Sequence, residues 1–171
     1  MSIWHPATFE YQPDICKMNK PQTTAQKDFT LTLDVNQSPE EVFSAILNVP
    51  AWWSGYYAEE FNGETNKLND EFTFRAGVDV HYSKQKLVEV IPAKKVVWLI
   101  TDSKLSFLKK TDEWTGSKVI FEITKNGNKT RLTFTHEGLT PAIECYNACA
   151  PAWTQYIQNK LLPLIQSGKS I

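Results

Sequence analysis

The chain lacks most of the features that assign a chemistry at sight. Its longest apolar stretches are about strand length, well short of the roughly 20 residues that a membrane-spanning helix needs. The N-terminal "MSIWHPATFEYQPDICKMNKPQ" has no continuous apolar core of the kind a secretory signal carries. Eighteen Lys and Arg against 19 Asp and Glu leave a net charge of −1. That balance removes any global electrostatic reason to expect nucleic acid or an anionic membrane as partner, and no membrane insertion is expected. Only three cysteines occur, without framework spacing, which suits a reducing, cytoplasmic setting better than a disulfide scaffold. There is no G-x-S-x-G, no phosphate loop, no H-E-x-x-H and no carboxylate pair spaced for glycosidic chemistry. Neither a cofactor nor a bound metal is expected on these grounds.

What the chain does have is aromatic mass. Six Trp, six Tyr and nine Phe make up 12% of 171 residues, ample for lining a cavity or filling the core of one domain. Residues 1–26 stand apart: they lack periodicity and carry Pro6, Pro13 and Pro21. They read as a mostly irregular extension, with Met18 a candidate natural start; the alternative is an arm packed by Trp4, Phe9 and Tyr11. The folded domain is expected over 27–168. It opens with "DFTLTLDV", alternating at the period of a strand. In "NQSPEEVFSAILN", Ser38 is set to cap a helix with Pro39 in its first turn and Glu40 and Glu41 at the positive end of the dipole. Pro50 ends it, and "AWWSGYY" follows as a turn or a second short helix. Strand patterns then run through "EFTFRA", "VHYSKQKLVEVIP" and "KKVVWLITD". "SKVIFEITK" and "KTRLTFTHE" form a hairpin around "NGN". A helix over 141–166 closes the chain. Hairpin-linked strands followed by one long helix predict an α+β fold: about six or seven antiparallel strands with helices on one face.

The closing helix raises the functional question. Its apolar stripe is thin at first (Cys145, Ala148, Cys149, Ala152) and thick later (Trp153, Tyr156, Ile157, Leu161). Small side chains facing a sheet either allow close approach or leave room for a ligand. His136 shares a strand face with Leu132 and Phe134, as a polar handle in a cavity, a general base, or a hydrogen-bonded core histidine. Cys145 and Cys149 lie one helical turn apart. They read as small hydrophobes or as half of a metal site completed by His136 and His81; a disulfide is disfavoured because side chains so placed seldom meet its geometry. Glu144 is a candidate dipole partner in the first turn. Pro151 should kink the helix unless it starts later, and Pro163 similarly. Trp52, Trp53 and Trp114 fall in loop-like segments, where exposed tryptophan implies a cavity mouth or a partner surface, unless Trp53 plugs the core.

Several segments together carry a resemblance: "SPEEVFSAILNVPAWWS", "LNDEFTFR", "VIPAKKVVWLITD", "TDEWTGSKVIFEI", "TRLTFTHEGL" and "ECYNACAPAWTQYIQNKLLPLIQSGKS". From about Asp28 to Ser170 the chain resembles the START-like (SRPBCC, helix-grip) superfamily, and within it the group of small bacterial proteins similar to the activator of heat-shock-protein-90 ATPase. The resemblance implies a curved sheet gripping the C-terminal helix around a hydrophobic cavity, with two short helices after the first strand. A small hydrophobic or amphipathic ligand between sheet and helix, bound without covalent chemistry, is the expected function. Its expected contacts are Phe72, Phe74, Trp98, His136, Cys145, Cys149 and Trp153, with Trp53 and Trp114 at the mouth. Two other readings stay open: a protein-interaction module acting on a chaperone or other protein through Trp52 or Trp114, and a cyclase- or hydrolase-type enzyme using His136.

Overall fold

A computed structural model describes residues 27–168; the readings of the N-terminal extension lie outside them. Strand β1 (Phe29–Val35) leads into helices α1 (Pro39–Leu47) and α2 (Val49–Trp52). Six strands follow: β2 (Glu60–Gly63), β3 (Glu71–Ala76), β4 (His81–Ile91), β5 (Lys95–Leu105), β6 (Lys118–Asn126) and β7 (Lys129–Glu137). They pair antiparallel in the order β1-β7-β6-β5-β4-β3-β2. The chain thus meanders across the sheet and closes on itself only through β1 beside β7. One face is apolar and cradles α1, α2 and the C-terminal helical segment. That segment comprises α3 (Tyr146–Tyr156), a wider π turn (Ile157–Leu161) and α4 (Leu162–Gln166).

Local chemistry explains most of these elements. Ser38 accepts the Glu41 N–H while the Glu41 carboxylate takes the Ser38 N–H at 2.7 Å, a reciprocal cap at the start of α1. In the β6–β7 turn Gly127 takes φ +63° between the paired Asn126 and Lys129, a conformation that costs glycine nothing. Along β6 and β7, Phe121 faces Phe134 and Val119 faces His136, which sets the inward register.

The C-terminal helix departs from expectation at both ends. It begins at Tyr146 rather than near 141, yet Pro151 still lies inside α3, past the first turn, where its missing N–H leaves the Asn147 carbonyl without the regular helical bond. Near the other end, the Leu162 N–H reaches back to the Ile157 carbonyl. This π turn ends just before Pro163, whose missing N–H and bulky ring conflict with regular α spacing. Glu144 is not in the first turn. Its carboxylate accepts the Lys109 N–H at 3.0 Å, and Glu113 takes the capping role instead, accepting the N–H groups of Glu144 and Cys145 at 2.9 and 2.8 Å. A carboxylate there satisfies free donors and meets the positive end of the helix.

Cys145 and Cys149 are disulfide-bonded, contrary to their reading as separate thiols or metal ligands. The first turn is tight: the Cys145 carbonyl accepts both the Ala148 and the Cys149 N–H, at 3.0 and 2.8 Å. The two Cα atoms stand 5.6 Å apart, within the usual span for a bridge. The cysteine count therefore carries no weight for a reducing compartment. Chain-entropy arguments value so short a loop at about 2 kcal/mol, so dithiothreitol should lower the melting temperature by several degrees. Denatured without reductant, the chain should titrate two fewer thiols than after reduction; an equal count would show the cysteines to be free.

Candidate functional site

An apolar pocket of about 290 Å³ opens between the thin half of α3 and the β2–β4 end of the sheet. The helix contributes Ala148, Cys149, Ala152, Trp153 and Tyr156; β3 contributes Phe74 and Ala76. Trp53 follows α2, Trp114 lies in the β5–β6 loop, and His81 starts β4. Ala148 and Ala152 leave space that the sheet does not fill, because its facing strand ends in Ala76.

Stacked rings form the walls. Trp53 lies parallel to Phe74, with centroids 4.0 Å apart at 6°, and stacks on Trp153 at 4.9 Å. Trp114 also stacks on Trp153, with centroids 5.9 Å apart at 12°. Packed against one another, these rings make a rigid aromatic wall. Tyr57, Val80 and Phe107 line the pocket and remain nearly half exposed, placing an apolar rim at its mouth. The β3–β4 turn beside it holds Gly77, Val78 and Asp79 in succession at φ +64°, +51° and +66°. A β-branched residue in that region is strained, and Val78 is 90% exposed.

Of the residues expected from sequence, Trp53, Phe74, Trp114, Cys149 and Trp153 line this pocket. Phe72, Trp98, His136 and Cys145 do not; all are at most 1% exposed, in the packed core behind it. Trp52, Trp53 and Trp114 are also buried, at 0%, 2% and 3% exposure. The expectation of loop tryptophans forming an exposed partner surface is therefore corrected: Trp52 ends helix α2, and it and the two loop indoles all pack inward. Trp114 donates its indole N–H to the Cys145 sulfur at 3.3 Å.

His136 illustrates how burial settles a side chain's chemistry. The Trp153 indole N–H, a donor only, lies 3.0 Å from Nδ1, so Nδ1 accepts. The proton must then sit on Nε2, 3.0 Å from the Ser117 hydroxyl, which donates onward to the Trp114 carbonyl at 2.6 Å. Both ring nitrogens are committed. Burial, and secondarily His81 nearby, pushes its pKa from 6.5 to about 3. Burial does the same to His81. Sequence reasoning also missed Glu59, in the loop before β2. Its carboxylate gathers the N–H groups of Gly55, Tyr56 and Tyr57 and the hydroxyl of Tyr156. Burial opposes its ionisation, but these donors outweigh it and hold the pKa below the usual value. Burial foremost, then Glu59 itself, pushes the Tyr156 phenol upward. No local sequence motif signals this clamp, since it joins positions far apart in the chain.

This architecture, a curved antiparallel sheet holding a long C-terminal helix over an apolar pocket, is the helix-grip fold of START-like proteins. Residues 36–165 match the family model for Activator of Hsp90 ATPase homolog 1-like protein, and the chain belongs to that family. No curated protein matches the chain. Among solved structures it is similar to the Aha1 dimer of Colwellia psychrerythraea, with TM-score 0.62 and 18% identity over 84% of this chain and 98% of that one. It is also similar to a protein of Chromobacterium violaceum, with TM-score 0.59 and 16% identity over 81% of this chain and 96% of that one. DynU16, a putative protein in the dynemicin biosynthetic locus, aligns with TM-score 0.55 and 14% identity over 82% of this chain and 48% of that one. At these identities the likeness concerns the fold alone.

An imidazole held neutral in the fold but protonated in the unfolded chain makes stability depend on pH. Unfolded histidine takes up its proton near 6.5, whereas folded His136 does so only near 3. Stability is thus full above about pH 6.5 and falls as acid is added, by at most about 1.4 kcal/mol per pH unit for each such histidine. Urea denaturation between pH 7 and 5 should show this slope, and His136→Gln should reduce it by about half, His81 supplying the remainder. An unchanged slope in the variant would mean that His136 is protonated inside the fold.

Proposed function

We propose that the protein binds a small, largely apolar ligand in the pocket between α3 and the sheet, without covalent chemistry. The observation that carries this reading is the pocket itself, formed where the helix presents Ala148, Cys149 and Ala152 and walled by parallel aromatic rings. A preformed apolar cleft with few polar groups is the usual form of a small-molecule site, and each 100 Å² of apolar ligand surface removed from water contributes about 2.5 kcal/mol.

The enzyme reading has little in its favour. No carboxylate lines the pocket, and His136 has neither a free nitrogen nor a pKa suited to base catalysis near neutrality. The chaperone-partner reading keeps the support of the family description but loses the surface assigned to it, since Trp52 and Trp114 are buried.

Native mass spectrometry of freshly purified protein, followed by denaturing extraction, is expected to reveal a defined extra mass released on unfolding. Ala152→Trp should fill the pocket and abolish binding while lowering the melting temperature by only a few degrees, because Ala152 borders open space. Retained binding in that variant would place the ligand elsewhere.

A further inference from the structure

The pocket's polar groups are few enough to be followed one by one. Tyr156 has given its hydroxyl to Glu59, and Tyr57 stands at the exposed rim. That leaves the Trp53 indole N–H, which has no hydrogen-bond partner among the described residues, and His81, whose ring is held edge-to-face between Phe74 (5.0 Å, 84°) and Trp114 (4.6 Å, 82°). Its Nε2 lies 3.3 Å from the Ser83 hydroxyl, and the Gln85 side-chain amide N–H donates to that same hydroxyl at 2.6 Å. Ser83 and Gln85 are fully buried on the inward face of β4. Nδ1 of His81 has no hydrogen-bond partner among the described residues.

The direction of this relay follows from counting protons. Ser83 Oγ accepts from Gln85 and has a second lone pair, but its own buried hydroxyl hydrogen has no other acceptor among the described residues, which assigns it to His81 Nε2 as acceptor. A neutral imidazole with an accepting Nε2 carries its proton on Nδ1. The reverse orientation of Gln85 would bury an amide NH₂ with neither hydrogen bonded. The orientation present pairs one amide hydrogen and leaves the other over, together with the Gln85 carbonyl oxygen, so one buried N–H fewer goes unpaired.

We infer that His81 Nδ1–H is a fixed donor in the pocket wall, selecting flat polycyclic ligands that carry a hydrogen-bond acceptor such as a ring carbonyl. This rests on the pocket reading above and adds polarity to it. His81 is the specificity-determining group, and Ser83 and Gln85 position its proton. The aromatic walls supply affinity for any flat ring system; the His81 donor decides between ring systems of equal shape.

Three tricyclic probes of nearly one shape separate the possibilities: 9-fluorenone presents an acceptor, carbazole a donor, and fluorene neither. In tryptophan-fluorescence titrations the intact protein should prefer fluorenone to fluorene by about threefold to tenfold, the worth of one net hydrogen bond, with no preference for carbazole. His81→Phe should erase that preference while leaving fluorene affinity within about twofold. Ser83→Ala, which leaves the pocket lining untouched, should weaken it by freeing the tautomer. Circular dichroism checks that both variants fold. A carbazole preference, equal affinity for all three, or a fluorenone preference that survives His81→Phe overturns the donor assignment alone. Failure of every probe to bind, or binding that persists in Ala152→Trp, overturns the pocket reading with it.

Discussion

Trp153 holds the helix to the sheet. Its indole N–H donates to His136 on β7, its ring stacks on Trp53 from the α2 end, and its other neighbour in the stack is Trp114 from the β5–β6 loop. One side chain therefore joins helix, sheet and two loops. Because the bond to His136 is buried, losing either partner would leave the other unsatisfied, at a cost of about 1–3 kcal/mol. The same bond fixes the imidazole's tautomer and, through Ser117, the backbone carbonyl of Trp114.

The pocket is a consequence of that anchor. With Trp153 pinned against β7, the preceding turn of α3 is held off the β3–β4 end of the sheet, and its alanines and Cys149 cannot close the gap. The Cys145–Cys149 bridge and the Glu113 carboxylate stiffen the helix start from two directions. Glu59 and Tyr156 tie its far side to the loop before β2. A void beside so firmly held an element does not simply collapse, which is the condition for a standing ligand site in an otherwise close-packed interior. The strained turn at Val78 and the exposed apolar rim lie at the open end of this space rather than in its floor.

Much of the fold was legible because periodicity reports burial directly. The alternation in β1, β6 and β7, the capping pattern at Ser38 and the breaker at Pro50 are local signals, and each marks an element of the structure. The stripe of small residues on α3 was equally legible, and it borders the pocket. Harder to read was which aromatic is wall and which is core. Phe72 and Phe74 share one strand face, yet Phe74 lines the pocket while Phe72 is packed behind it. Two residues along a strand is about 7 Å, enough to cross from cavity to core, and no residue-type preference records that difference.

The sequence by itself determined the order of elements, the inward faces of the strands and the uneven bulk of the closing helix, because these depend on side-chain period and size within one segment. The tertiary structure alone decided what the polar groups do. Whether His136 is a base or a strut, whether Cys145 meets Cys149, and which proton His81 presents all depend on partners such as Trp153, Glu113 and Ser83. Those partners come from other segments or from the other end of a hydrogen-bond relay. Hydrogen bonds and desolvation act over a few ångströms of space, and only folding brings those ångströms together.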